Sequence, residues 1–214
     1  NEVYGLTKGQ YSPTSRVGMV AKSTPQGSID YPLNPVSLAL GAEATFVART
    51  IDTDRDHFTS ILKAAHQHQG AAFIEIYQNC VVFNDDAFIT ITNRQDGAEH
   101  QIRLEHAQPI TFGADDERCV AWRSDGPGVE LSTVAEAGDR IVVHDARAED
   151  PSLGFALSRL SHNPTGPTPI GIFRAVERPL YETQLQQQVD AAKQRHGDAN
   201  LTTLLEGGAV WDVA

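Results

Sequence analysis

Residues 45–77 limit the possible folds of this chain more than any other stretch. An apolar, β-branched and aromatic run at 45–50 opens the stretch, and a second apolar run at 72–77 closes it. Between the two runs, the apolar residues have the i, i+3, i+4, i+7 spacing of one helix face: Phe58, Ile61, Leu62 and Ala65. Asp54 stands where it can cap the start of that helix. Strand, helix and strand in this order form a parallel crossover unit, so the sequence predicts an α/β fold with a parallel sheet and flanking helices.

Other elements are expected on both sides of this unit. Before it, Asn34 and Pro35 are an N-cap and a first helical residue, and they predict a short helix that continues to about residue 42. After residue 86 the dipeptide Asp96-Gly97 indicates a hairpin turn within a small antiparallel β insertion. Four short strands are expected there, at 88–92, 100–104, 118–123 and 140–145. The remaining predictions are a helix at 152–160, a strand at 170–176 and a helix at 181–195.

Composition excludes several classes of function. The chain has 214 residues, of which 40% are apolar, so it can bury a real core. Its net charge of −11 argues against nucleic-acid binding, which needs clustered Lys and Arg. No apolar run is long enough to cross a membrane, so no membrane partner is expected. Two cysteines, Cys80 and Cys119, cannot build a disulfide framework, and this favours a reduced, cytoplasmic setting.

The first eighteen residues are typical of a shaped polar loop. They are rich in glycine, hydroxyl and amide side chains. Asn1 would offer an amide oxygen and Val3 a backbone carbonyl, and Mg²⁺ accepts such oxygen ligands beside a phosphate. Gly5 would let the backbone approach a cofactor closely. The alternative is an Asn-capped loop that binds nothing.

Five strings occur in the order and approximate spacing of one family. They are YGLTKGQYSPTS from residue 4, KSTPQGS at 22–28, NPVSLALGAEATFVART at 34–50, EIYQNCVVFND at 75–85 and PTPIGIFRAVERPLYE at 167–182. The chain closely resembles the β subunit of 2-oxoacid:ferredoxin oxidoreductases, in particular the 2-oxoglutarate type. The resemblance is dense over residues 1–86 and looser afterwards. It implies that 1–86 is the C-terminal half of a thiamine diphosphate-binding domain, 87–147 a β-rich insertion and 148–214 a helix–strand–helix region.

The family resemblance also implies an activity and its partners. Family members carry out the oxidative decarboxylation of a 2-oxoacid with coenzyme A, giving an acyl-CoA and CO₂. Their electrons pass through a [4Fe–4S] cluster to ferredoxin, and an α subunit completes the active site. Thiamine diphosphate and Mg²⁺ are the expected cofactors, and the cytoplasm is the expected compartment.

Site residues follow from the matched strings. The resemblance places a group of N-terminal residues at thiamine diphosphate: Asn1, Val3, Tyr4, Gly5, Leu6 and Thr7. Asn1 and Val3 would bind Mg²⁺, and Leu6 would also line the oxoacid site. Lys8 would contact the substrate, because a cation suits the distal carboxylate of 2-oxoglutarate. A solvent-facing loop lysine is the alternative, and no catalytic residue is assigned.

Cys80 follows a predicted buried strand, and the resemblance makes its thiolate one ligand of the [4Fe–4S] cluster. Without that context, Cys80 would be an inert small apolar residue. A cluster needs four thiolates, and this sequence holds two cysteines. We therefore expect an upstream segment in the intact protein, carrying a GDG motif and three more cysteines. Two alternatives stay open, a non-catalytic scaffold subunit of the same fold and a cluster-free thiamine diphosphate decarboxylase.

Overall fold

The predicted strand–helix–strand unit forms and supplies one half of a four-stranded sheet. The structure is a computed structural model that describes residues 2–160, 166–198, 200–208 and Trp211. The chain divides into two units, Asn1–Glu177 and Arg178–Ala214. The strands are β1 (Val3–Tyr4), β2 (Gln10–Tyr11), β3 (Phe46–Ile51), β4 (Ala72–Tyr77), β5 (Gln101–Leu104), β6 (Thr111–Phe112), β7 (Arg118–Trp122), β8 (Val129–Thr133) and β9 (Thr168–Ala175). The helices are α1 (Pro35–Gly41), α2 (Arg55–Gln67), α3 (Ile89–Thr92), α4 (Val134–Ala137), α5 (Ser152–Ser158), α6 (Tyr181–His196) and α7 (Leu201–Leu205).

The main sheet is mixed, with strand order β4-β3-β9-β5. Strands β3 and β4 pair in parallel, as the sequence predicts. Strand β5 pairs in parallel with β9, although the sequence analysis placed it in the antiparallel insertion. Strands β9 and β3 run antiparallel, so the sheet is not wholly parallel. Gly171 lets β9 pass close to β5, because its φ is +118° and a Cβ there would meet the Leu104 carbonyl oxygen at 2.6 Å.

Apolar side chains cover both faces of β3, whose six residues are all buried. On one face, Val47 packs with Leu40 of α1 and Phe173 of β9. On the other face, Phe46 and Ala48 of β3 pack with Ile61 of α2. Each large side chain buried in this way stabilises the fold by about 1.5–3 kcal/mol. The helices thus flank the sheet as the sequence predicts.

Both predicted helix caps are present. The Asn34 side-chain oxygen accepts a hydrogen bond from the Ser37 N–H at 3.0 Å, at the start of α1. The Asp54 carboxylate accepts one from the His57 N–H at 3.0 Å, at the start of α2. Each cap satisfies a backbone donor that has no partner inside its helix.

The prediction of a hairpin around Asp96-Gly97 is wrong. Residues Ile89–Thr92 form the short helix α3 instead of a strand, and β5 joins the main sheet beside β9. Buried Ile91 and Phe88 hold this segment in the core, where packing outweighs the β propensity of its Ile and Thr residues. The predicted strand at 140–145 forms only single bridges, at Ile141 and Val143.

A smaller antiparallel sheet does form, with strand order β6-β7-β8. The predicted region boundaries after residues 86 and 147 stay predictions. In the second unit, α6 confirms the helix predicted at 181–195. Among the residues that the structure describes, no helix is long and apolar enough to span a membrane.

Candidate functional site

The N-terminal loop is shaped as a tight hairpin. Strand β1 pairs with β2, and the Gly9 N–H donates to the Tyr4 carbonyl at 3.0 Å. Lys8 and Gly9 have left-handed φ angles of +61° and +90°, which turn the chain back. The predicted cofactor and substrate residues on this hairpin are exposed: Tyr4, Gly5, Leu6, Thr7 and Lys8. Leu6, at 97% exposure, lies at the tip.

Polar contacts fix the base of this hairpin. Glu2 has a left-handed φ of +55°, and its carbonyl accepts a hydrogen bond from the Ser15 hydroxyl. Its carboxylate lies 3.1 Å from Nε of Arg16. Burial raises the pKa of the Glu2 carboxyl, against the lowering effect of Arg16. Of the two predicted magnesium ligands, Asn1 lies outside the described residues and Val3 is buried at the base of the hairpin.

Cys80 opens a tight turn three residues after the end of β4. The Asn84 N–H donates to the Cys80 carbonyl at 3.0 Å, so residues 80–84 form one closed loop. Backbone N–H groups of Phe83 and Val82 face the sulfur and hold the pKa of the Cys80 thiol below its usual range. This environment favours the thiolate, which is the form that binds metals.

The hairpin and the cysteine turn lie against each other. A Cβ on Gly9 would meet the Phe83 ring at 3.0 Å, so the hairpin backbone rests on that ring. Arg16 donates a hydrogen bond to the carbonyl of Ala87, just beyond the turn. The structure therefore brings the predicted cofactor loop and the predicted cluster ligand together, although they are far apart in sequence.

A buried charged group that the sequence analysis did not identify lies in the sheet near this site. Arg49 of β3 is buried, and its Nε is 2.6 Å from the Glu75 carboxylate on β4. The guanidinium lies over the rings of Tyr77 and Phe173, 5.1 and 5.4 Å from their centroids. Tyr77 stacks on Phe88, and burial raises the pKa of its hydroxyl. The sequence did contain a signal for this pair, because Arg49 and Glu75 are charged residues within two otherwise apolar strands.

Metal-ligating groups are sparse in the part of the chain that the structure describes. No group of three or more His, Cys, Asp or Glu side chains there could hold a metal ion. Cys80 fits the role of one cluster ligand, since its sulfur is accessible and accepts backbone N–H groups. Cys119 is fully buried in β7, and burial raises the pKa of its thiol. The Cys119 environment therefore fits a structural thiol.

Comparisons with known proteins agree with this geometry. The family model described as "Thiamine pyrophosphate enzyme, C-terminal TPP binding domain" matches residues 1–76. The 2-oxoglutarate oxidoreductase subunit KorB of Mycobacterium tuberculosis is 52% identical over the whole chain. The β subunit of 2-oxoacid:ferredoxin oxidoreductase 1 from Aeropyrum pernix is 49% identical over 85 residues, covering 40% of the chain and 27% of that protein.

The chain belongs to the family of 2-oxoacid:ferredoxin oxidoreductase β subunits. It spans 57% of the length of the Mycobacterium tuberculosis relative. A solved structure, 2-oxoglutarate:ferredoxin oxidoreductase from Magnetococcus marinus with 2-oxoglutarate, coenzyme A and succinyl-CoA bound, has the same fold. The match has a TM-score of 0.61 at 24% identity and covers 98% of this chain and 56% of that one. The thiamine diphosphate-binding fold predicted from the sequence is confirmed.

Proposed function

We propose that this chain supplies the thiamine diphosphate loop and one cluster ligand of a 2-oxoglutarate:ferredoxin oxidoreductase β subunit. The reaction is the oxidative decarboxylation of 2-oxoglutarate with coenzyme A to succinyl-CoA and CO₂. A [4Fe–4S] cluster, with Cys80 as one of its ligands, would supply the electron-transfer chemistry, and ferredoxin would be the acceptor of the two electrons. The partners are an α subunit and ferredoxin, and the compartment is the cytoplasm.

The observation that carries this proposal is the 52% identity, along the entire chain, to a protein named as a 2-oxoglutarate oxidoreductase subunit. The geometry adds support, because the hairpin backbone at Gly9 and the Cys80 turn are in contact. The residues that would hold the thiamine cofactor and the residue that would bind the cluster therefore belong to one site.

In this proposal each predicted residue has a distinct role. Thiamine diphosphate, when bound, supplies the electron sink for decarboxylation. The Asn1 amide and the Val3 carbonyl hold Mg²⁺, and the exposed hairpin supplies the cofactor surface: Tyr4, Gly5, Leu6 and Thr7. The Lys8 ammonium pairs with the distal carboxylate of 2-oxoglutarate in a site completed by other parts of the assembly. The Cys80 thiolate is one ligand of the cluster.

An anaerobic assay on the intact protein with its α subunit tests the proposal. The readout is coenzyme-A-dependent reduction of a viologen dye, with 2-oxoglutarate and pyruvate compared side by side. Reduction driven mainly by 2-oxoglutarate is the expected result. A preference for pyruvate would contradict the substrate, and no reduction by the cofactor-loaded assembly would favour a scaffold subunit.

A further inference from the structure

Arg16 joins the two segments of the candidate site. Its Nε lies 3.1 Å from the Glu2 carboxylate, and its Nη2 donates to the carbonyl of Ala87. One side chain therefore contacts both the base of the hairpin and the segment that leaves the cysteine turn.

The hairpin end of this bridge is close to the predicted magnesium ligands. Glu2 lies between Asn1 and Val3 in the chain. The Ser15 hydroxyl holds the Glu2 carbonyl, and the neighbouring Arg16 holds the Glu2 carboxylate, so one contact fixes the backbone of Glu2 and the other fixes its side chain. Val3 follows Glu2 directly, so the direction of the Val3 carbonyl depends on that backbone.

The other end of the bridge is anchored in the core. Ala87 is 8% exposed and precedes Phe88, which stacks on Tyr77 with ring centroids 4.5 Å apart. This carbonyl cannot move without disturbing the sheet. Arg16 therefore ties the N-terminal loop to a buried, rigid part of the fold.

The chemistry of the contact requires a guanidinium. Its planar fork can donate to a carboxylate and to a carbonyl in two fixed directions at once. A lysine ammonium at the end of a flexible stem provides a single point charge and would satisfy one of the two acceptors.

We propose that Arg16 is a positioning residue that holds the magnesium–diphosphate loop and the cysteine turn in a fixed arrangement relative to each other. This inference rests on the proposed function, since it concerns the residues assigned there to cofactor and cluster. It assigns to Arg16 the coupling between two sites rather than contact with either ligand.

Two Arg16 variants of the intact α/β assembly, Arg16→Ala and Arg16→Lys, test this role. Arg140→Ala is the matched control, because Arg140 also bridges a glutamate, at 2.8 Å from Glu130, and a backbone carbonyl, that of Trp122 at 2.7 Å. The three measurements are the Kd of Mg²⁺–thiamine diphosphate, the electron paramagnetic resonance spectrum of the reduced cluster, and hydrogen exchange of residues 2–16 and 80–88 without cofactor.

Arg16→Ala should raise the Kd about tenfold, alter the cluster spectrum and speed exchange in both segments, because a charge-assisted contact is lost at each end. Arg16→Lys should give a smaller change. Arg140→Ala should leave the Kd and the cluster spectrum as in the wild type, even where it lowers the melting temperature. An Arg16→Ala protein with unchanged Kd or unchanged cluster spectrum would overturn the coupling. A wild-type assembly that binds no thiamine diphosphate would instead reject the proposed function.

Discussion

The thiol of Cys80 occupies a turn whose backbone N–H groups favour a negative sulfur. Such N–H groups would also stabilise a cluster thiolate. Cys119 has the opposite environment, since it is fully buried among apolar neighbours of β7. These two residues thus allow a clean comparison within one chain.

Cys80→Ser should prevent assembly of the complete [4Fe–4S] cluster, because serine lacks the soft sulfur ligand. Cys119→Ala should retain the cluster. Iron and acid-labile sulfide analysis of the anaerobically purified assembly, with the electron paramagnetic resonance spectrum, measures both. A full iron content in Cys80→Ser would remove Cys80 from the ligand set.

Lys8 is held at the hairpin tip by its left-handed backbone and by its N–H bond to the Gly5 carbonyl at 3.0 Å. Lys8→Ala should raise the KM for 2-oxoglutarate about 10- to 100-fold, since the proposed charged contact to the distal carboxylate would be lost. The pyruvate reaction should change much less. The exposed Lys22→Ala is the control. An equal rise in KM for both oxoacids would show that Lys8 does not bind the distal carboxylate.

At the scale of elements, β3 and β4 share a buried ion pair in register, Arg49 opposite Glu75. Arg49→Met should lower the free energy of unfolding by about 3–5 kcal/mol, because it leaves the Glu75 carboxylate poorly solvated and without its partner. Arg49→Met combined with Glu75→Gln should recover part of that loss.

The exposed pair Arg123–Asp125, at 2.8 Å, provides the comparison for the buried pair. Arg123→Met should leave the stability almost unchanged, because solvent screens the charges of an exposed pair. Urea unfolding followed by circular dichroism measures all the variants. Similar losses for the buried and the exposed pair would contradict the importance of burial.

Elements with local signals could be predicted from the sequence, whereas elements set by distant contacts could not. Asn34 and Asp54 act within three residues of their own position, so both helix starts were predictable. The segment Ile89–Thr92 has strand-like residues but folds as a helix, because burial of Ile91 decides its conformation.

The same division holds in the candidate site. The hairpin residues and Cys80 were found from their strings, since each string is continuous in the sequence. The contact of Arg16 with Ala87 joins residues in different segments, and no local pattern indicates it. The antiparallel direction of β9 was missed for the same reason, as it is set by its neighbour β3.

For the whole molecule, buried histidines tie stability to pH. Burial lowers the pKa of His144, whose Nε2 lies 2.7 Å from the Ile172 carbonyl and donates to it. His106 also lowers this pKa, while the Ile172 carbonyl and Asp145 raise it.

The pKa of His57 is lowered by burial and by Arg103, against Asp54 and Glu105. The histidines of the unfolded chain bind protons more readily than the same histidines in the folded protein. The contribution of these two side chains to the free energy of unfolding should therefore be fully present above about pH 6.5 and be lost as the pH is lowered from there.

His144→Gln should make the loss of stability in acid less steep, by at most about 1.4 kcal/mol per pH unit. Glutamine can still donate to the Ile172 carbonyl, but it does not titrate. The exposed His66→Gln is the control. Denaturant midpoints measured between pH 5 and 8 report the slope, and parallel slopes for His144→Gln and the wild type would contradict the role of His144.

The resting contact between Gly9 and Phe83 restricts how this protein can vary. Position 9 has little room for a side chain while an aromatic ring occupies position 83, and its φ of +90° also favours glycine. Homologues with a side chain at position 9 should therefore carry a smaller residue than phenylalanine at position 83. An engineer who transplants the hairpin into another protein would have to transplant the cysteine turn with it.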